Sequence, residues 1–370
     1  MSYLEKLLEG VVVEWKPLGE VCILSRGRVM SKEYLAEFAG EYPVYSSQTA
    51  NNGEIGKITT FDYDGEFITW TTDGANAGTV FHRKGKFSIT NVCGLIKIKD
   101  NSELIYGFLF YWLSIEAKKY VYSGMGNPKL MSNQITKIPI PIPPLEIQQK
   151  IVAILDTFTE LTAELTAELT AELTARKSQY TYYREKLLTF DENLVEWKTL
   201  GEVITLQRGK RLVKSQLEVS GEYAVYQNAL TPLGYYHESN VKANTTFIVC
   251  AGAAGEIGFS ELDYWAADDV HSLITPEFIN DRYLFHYLQT QKSKISSQVR
   301  RASIPRLSRN VLEKLLIPVP PIEEQERIVS ILDKFDTLTT SISEGLPKEI
   351  ELRKKQYEYY RDMLLSFPKN

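Results

Sequence analysis

The chain is written twice, and this constrains its fold more than any other feature. VEWKPLGEV at Val13–Val21 returns as VEWKTLGEV at Val195–Val203. LSRGR at Leu24 returns as LQRGK at Leu206, and GEYPVY at Gly40 as GEYAVY at Gly221. FLFYWL at Phe108 resembles YLFHYL at Tyr283. IPIPPLEIQQKIVAILDTF (Ile140–Phe158) returns as IPVPPIEEQERIVSILDKF (Ile317–Phe335), and RKSQYTYYREKLLTF (Arg176–Phe190) as RKKQYEYYRDMLLSF (Arg353–Phe367). The order is the same in both halves, with a spacing of 182 residues at the start and 177 at the end. Repeats in one order imply one structural unit built twice. The edges of the halves nearly coincide and the interiors diverge. Plain drift after duplication would blur the edges too, so the pattern favours a shared frame carrying two variable inserts.

The frame reads as helix. Prolines at 143 and 144 suit an extended lead-in and a first helical turn. Ile151, Ile154, Leu155 and Phe158 then fall at i, i+3, i+4 and i+7, one apolar face. No Gly or Pro interrupts Leu145–Phe190, so at ~1.5 Å per residue a helix of roughly 65–70 Å is expected. In the second copy Gly345 and Pro347 predict a kink or break. Glu146 to Arg176 and Glu323 to Arg353 span equal lengths, so the two segments are able to lie antiparallel. EKLL at Glu5 and EKLL at Glu185 each precede a VEW. The C-terminal DMLLSFPKN would continue into the N-terminal segment, completing a second copy of residues 184–197 and giving approximate two-fold symmetry.

Within the long helix LTAELTAELTAELTA spans Leu161–Ala175, a perfect four-residue repeat. Leu161, Leu165, Leu169 and Leu173 are expected to form a slowly drifting apolar stripe of a coiled coil. The repeat reads as a plain helical connector or as a ruler. Each unit adds about 6 Å of helix, similar to two base-pair steps of ~3.4 Å.

The inserts read as strands, loops and a short helix. KFSITNV and TTFIVCA are the strand candidates, and the apolar run Leu104–Ile115 is a buried helix too short to span a membrane. Net charge is −5, which argues mildly against nucleic acid, yet the cations cluster. Seven Lys or Arg lie between Lys292 and Lys314 against one acid. Among them, Arg300, Arg301, Arg306 and Arg309 stand close together. In the first half Lys118, Lys119 and Lys129 occupy the same stretch, with Lys129 aligned to Arg306. The LSRGR and LQRGK turns add Arg26, Arg28, Arg208 and Lys210, and HRKGK adds Arg83 and Lys84. Basic faces at matching positions in an acidic chain point to phosphate contact.

Catalytic signatures are missing. The glycine clusters at Gly124 and Gly252 lack nucleotide-binding spacing, and no HExxH, CxxC or GxSxG occurs. Three distant cysteines form neither a metal pattern nor a disulfide framework. His82, His237, His271 and His286 have no convergent Cys or His partner, and His271 and His286 are expected to fill core or surface positions. No cofactor of its own is implied. The N-terminus has no secretory pattern, so a cytoplasmic protein is the simplest expectation.

These repeats resemble the specificity (S) subunit of type I restriction–modification systems along essentially the full chain. The TAEL repeat resembles a subfamily in which the repeat number varies. The resemblance implies an α+β fold, with two similar target-recognition domains in pseudo-two-fold arrangement separated by two long antiparallel conserved helices. The implied divisions are 1–12 (completing the distal conserved region), 13–143 and 195–320 (recognition domains), 144–194 (central conserved helix) and 321–370 (C-terminal conserved region). It further implies double-stranded DNA as ligand and two modification (methyltransferase) subunits carrying S-adenosylmethionine. ATP-dependent restriction subunits would join that trimer. Gln148, Tyr180, Tyr183, Gln325, Tyr357 and Tyr360 on the conserved helices are the candidates for docking it. A duplicated helical adaptor for proteins and a stand-alone DNA-binding regulator are the rival readings of the residues.

Overall fold

The computed structural model describes residues 3–124, 126–341 and 343–368; Met1, Ser2, Met125, Ile342, Lys369 and Asn370 fall outside the described residues. The fold is α+β, in two compact units. One comprises residues 1–167 with 351–370, the other residues 168–350.

The first unit holds a six-stranded sheet in the order Cys22–Arg26, Cys93–Ile98, Tyr63–Thr71, Val80–Ile89, Ala39–Tyr45, Glu54–Ile58. All neighbours are antiparallel except Ala39–Tyr45 and Val80–Ile89. KFSITNV enters the sheet through the end of Val80–Ile89. The apolar run at Leu104 becomes the helix Tyr106–Glu116. Its Phe108, Leu109 and Leu113 are sealed from solvent in one core with Ile68, Trp70 and Ile96. A ribbon of Glu14–Pro17 against Pro139–Ile142 joins the two ends of the insert. The variable interior thus hangs from a fixed base where the frame begins.

The second unit repeats this base with Glu196–Thr199 against Leu316–Val319 and the helix Asp281–Thr290. Its strands divide differently. Thr205–Arg208, Val270–Ile274, Thr245–Val249 and Ile257–Ser260 form one sheet; Gly234–Tyr236, Tyr223–Tyr226 and Tyr264–Ala266 form another. TTFIVCA supplies the fully buried Thr245–Val249.

The frame helices are Leu145–Leu187, Ile322–Thr340 and Leu346–Leu364. The expected break falls between Thr340 and Leu346, with Pro347 in a first turn where its missing N–H costs nothing. Within the first unit Phe158 meets Tyr360 at 5.7 Å between ring centroids, and Thr159 Oγ1 lies 3.0 Å from the Tyr357 hydroxyl. Rising numbers meet falling ones, so these helix ends run antiparallel. Within the second unit Tyr180 and Tyr183 stack on Phe335 at 6.1 and 5.6 Å. Leu4, Leu364, Leu365 and Phe367 share the first unit's core, as Leu188 shares the second's.

The leucine stripe departs from expectation. Leu161 and Leu165 are 48% and 42% exposed. The less exposed line runs instead through Ile151, Leu155, Phe158, Thr162, Thr166, Leu169, Leu173, Arg176 and Tyr180. Its steps of three and four follow the helix. A strict four-residue repeat gains about 40° per unit on a helix of 3.6 residues per turn. The inward position therefore passes from threonine to leucine partway along the repeat. Among the described residues no helix is long and apolar enough to cross a membrane.

Candidate nucleic-acid interface

In each unit the same loops are stitched together by backbone bonds. In the first, Tyr122 and Lys129 exchange N–H···O bonds of 2.8 and 3.0 Å, closing a hairpin. Leu130 N–H donates to Thr72 O and Gly74 N–H to Pro128 O, fastening that hairpin to the loop after Tyr63–Thr71. Thr72 N–H donates to Ser47 Oγ, adding the Ser46–Gly53 loop. In the second, Arg300 and Arg306 exchange bonds of 2.8 and 3.0 Å, while Leu307 N–H donates to Cys250 O, Gly252 N–H to Pro305 O and Ala253 N–H to Asn228 O. Two divergent sequences thus build the same platform.

The LSRGR and LQRGK turns need their glycines. A Cβ on Gly27 would lie 2.0 Å from Ile89 O, and one on Gly209 2.1 Å from Ala267 O. This close approach carries Arg26 and Arg208 to the platform. Arg26 Nη2 lies 3.8 Å from Met131 Sδ, and Arg208 Nε donates to Asp268 O. Arg28, Lys84, Lys118, Lys119, Lys129, Lys210, Arg300, Arg301, Arg306 and Arg309 are all exposed.

Arg83 is the exception, and the expectation that it contacts DNA is corrected. It is 3% exposed, with its guanidinium over the Tyr45 and Phe81 rings at 3.6 and 4.4 Å. Its Nη2 donates to Asn52 O and its Nε to Thr69 Oγ1. Asn51 and Asn52 have φ of 47° and 53°, a left-handed pair that asparagine tolerates. Arg83 is thus a pillar under that loop. Its alternation with exposed Lys84 along a strand, one side chain per face, was the signal that separates them. Among the described residues no group of three or more His, Cys, Asp or Glu could hold a metal.

The family model for the type I restriction modification DNA specificity domain matches residues 12–175 and again 193–352. The chain belongs to that family. It is 36% identical to the EcoR124I/EcoR124II specificity subunit of Escherichia coli, with 100% of this chain and 98% of that one covered. It is 38% identical to a putative type I restriction enzyme specificity subunit of Haemophilus influenzae, over 99% and 98% of the two chains. Its fold is similar to the crystal structure of a type I restriction–modification S subunit from M. genitalium, with a TM-score of 0.57 at 20% identity and 100% of both chains covered. This specificity chain is a DNA-recognition subunit of a type I restriction–modification complex.

On the conserved helices of the specificity chain, three docking candidates are turned inward. Gln148 and Gln325 are fully buried and Tyr180 is 8% exposed. Gln148 Oε1 accepts from Ile105 N–H, and its Nε2 donates to Glu103 O and Pro143 O. Gln325 Oε1 accepts from Asn280 N–H, and its Nε2 donates to Phe278 O and Pro320 O. Each glutamine ties the loop before its domain helix to the first turn of a frame helix, so neither is available to another subunit. Tyr183 and Tyr357 are half-buried and Tyr360 is 37% exposed. More exposed are Tyr182 and Tyr359, at 57% and 66%, equivalent positions in the two copies that sequence reasoning passed over. Only the solvent-facing side of the helix distinguishes them.

A second contact joins each domain helix to its frame helix. In the first unit the Tyr111 hydroxyl donates to Asp156 Oδ1 at 2.7 Å and lies 3.2 Å from Thr159 Oγ1. In the second, His286 replaces Tyr111. Its Nε2 is 2.7 Å from Asp333 Oδ1, and its Nδ1 is 3.3 Å from the Tyr180 hydroxyl. Arg282 reaches Asp333 at 2.8 Å and Asp336 at 2.7 Å. Burial, helped by the Arg282 charge, holds the His286 pKa below its usual range against the opposing pull of Asp333. Burial pushes the Tyr180 hydroxyl up to about 12.

Proposed function

We propose that residues 13–143 and 195–320 each read one part of a split, asymmetric DNA site, and that the frame helices fix the unread gap. The observation that carries this reading is the pair of equivalent loop platforms built from dissimilar residues. Such platforms are suited to two different base sequences, because phosphate contacts position a reader and side chains at base edges specify. The partners are DNA and the modification and restriction subunits of the type I complex. The modification subunits would bring S-adenosylmethionine and methylate adenine. Exposed faces of residues 144–194 and 321–370, Tyr182 and Tyr359 included, would dock them, with residues 1–12 completing the distal conserved region. The TAEL repeat would act as the ruler of a subfamily with variable repeat number.

The test is to co-express the chain with its modification subunit and map adenine methylation across the host genome, beside a variant lacking Thr166–Leu169. The expected result is a split motif whose two parts persist while the gap shortens. An unaltered gap leaves the repeat a plain connector. Absence of any split motif, with an active modification subunit, overturns the reading in favour of an adaptor.

A further inference from the structure

We infer that the two recognition domains grip DNA with unequal electrostatic weight, the Arg300–Arg306 hairpin holding phosphates while its equivalent, Tyr122–Lys129, contributes little net charge. The inference rests on the split-site reading above and names which residues carry its salt-dependent part.

The two hairpins have the same backbone closure, so residues at their necks are directly comparable. Arg300 stands where Tyr122 does, and Arg306 where Lys129 does. Tyr122 is 65% exposed, an aromatic face offered to solvent at a point where the other domain offers a guanidinium. Lys129 Nζ lies 3.9 Å from Asp73 Oδ1. At the backbone position of Asp73 the second domain has Ala251, which bridges Arg306 as Asp73 bridges Lys129. Arg306 therefore has no acid across the bridge.

The imbalance extends beyond the hairpins. In the first domain Arg28 pairs with Asp62 at 3.0 Å, Lys84 with Glu66 at 3.3 Å, and Lys119 with Glu116, while Lys118 makes no ion pair among the described residues. In the second, Arg300, Arg301, Arg306 and Lys210 make no ion pair among the described residues, while Arg309 pairs with Glu313 at 2.7 Å. Exposed pairs add little stability. Their acids nevertheless cancel the local field that attracts phosphate, and each must be displaced or tolerated when DNA arrives. Arg300 and Arg306 carry no such cost. Arginine also presents a planar fork suited to phosphate oxygens. At this hairpin the first domain, with Tyr122 at the same place, is left to contact DNA through packing and hydrogen bonds, which do not release counterions.

The experiment measures binding of the chain assembled with its modification subunits to a duplex carrying the mapped site, from low to moderate salt. Each phosphate contact contributes close to one to the slope of log affinity against log salt. Arg300→Ala with Arg306→Ala is expected to lower that slope by about two. Tyr122→Ala with Lys129→Ala should lower it by about one or less, and Tyr122→Arg should raise it by about one. Arg300→Lys with Arg306→Lys keeps the charge and should keep the slope, which separates phosphate contact from damage to the hairpin. Equal losses from both hairpins, or an unchanged slope without Arg300 and Arg306, overturn the inference. Failure of the unaltered complex to bind a split site would overturn the underlying reading instead.

Discussion

Tyr111 and His286 occupy the same place in the two halves and solve the same problem by different chemistry. Each must satisfy a polar group where a domain helix meets a frame helix, because an unpaired buried donor is costly. The first unit uses a hydroxyl, a carboxylate and a threonine. The second uses an imidazole and a guanidinium on two aspartates, with the Tyr180 hydroxyl on the other ring nitrogen. The frame therefore dictates that a contact be made, and leaves its charge open. The first latch holds no imidazole; the second does.

The two glutamines mark where this difference should vanish. Gln148→Leu and Gln325→Leu each strand a buried N–H and two carbonyls, so both should cost about 3 kcal/mol, read by denaturant unfolding. A loss in one and none in the other would break the equivalence of the two bases. Replacing the aspartates should separate the halves. Asp333→Ala abandons His286 and leaves Arg282 with Asp336 alone, and is expected to cost about 2 kcal/mol, discounted because Asp333 remains partly in water. Asp156→Ala leaves the Tyr111 hydroxyl beside Thr159 and should cost about 1 kcal/mol. Equal losses would mean that the charge in the second latch adds nothing.

The smallest effect is the pH dependence. The His286 pKa is held below its ordinary 6.5 by burial, so below that pH the unfolded chain takes up a proton that the folded chain refuses. This contribution is complete above pH 6.5 and is lost as pH falls through the folded value, by at most about 1.4 kcal/mol per pH unit. Asp333, drawn below 3.8 by its bonds to His286 and Arg282 against the effect of burial, acts in the same direction only at lower pH. His286→Tyr copies the first unit and should flatten the melting temperature between pH 7.5 and 5.5. A profile unchanged by that substitution would place the titration elsewhere.

Much of the fold was legible because its signals are local or repeated. The duplicated edges located the frame, the unbroken run from Leu145 announced the long helix, and Gly345 with Pro347 announced the break. The buried run at Leu104 and the two strand candidates also read correctly. Roles that depend on which way a side chain points were not legible. Gln148, Gln325 and Tyr180 sit in repeated motifs, which suggested a partner, but repetition marks an internal contact equally well. Arg83 and Lys84 are adjacent cations on opposite faces of one strand. Leu161 and Leu165 belong to a faultless repeat, yet the helix has no period of four.

The sequence by itself determined that one scaffold would be made twice, with helical edges and differing interiors, because periodicity and turn chemistry act over a few residues. Only the tertiary structure decided which cations face water and which acids accompany them. It alone brought Arg282 and His286 to Asp333 and Asp336 across some fifty residues of chain, and turned threonines rather than leucines inward at the start of the repeat. Those outcomes depend on burial and on long-range packing. Charge and hydrogen bonding there are set by neighbours distant along the chain.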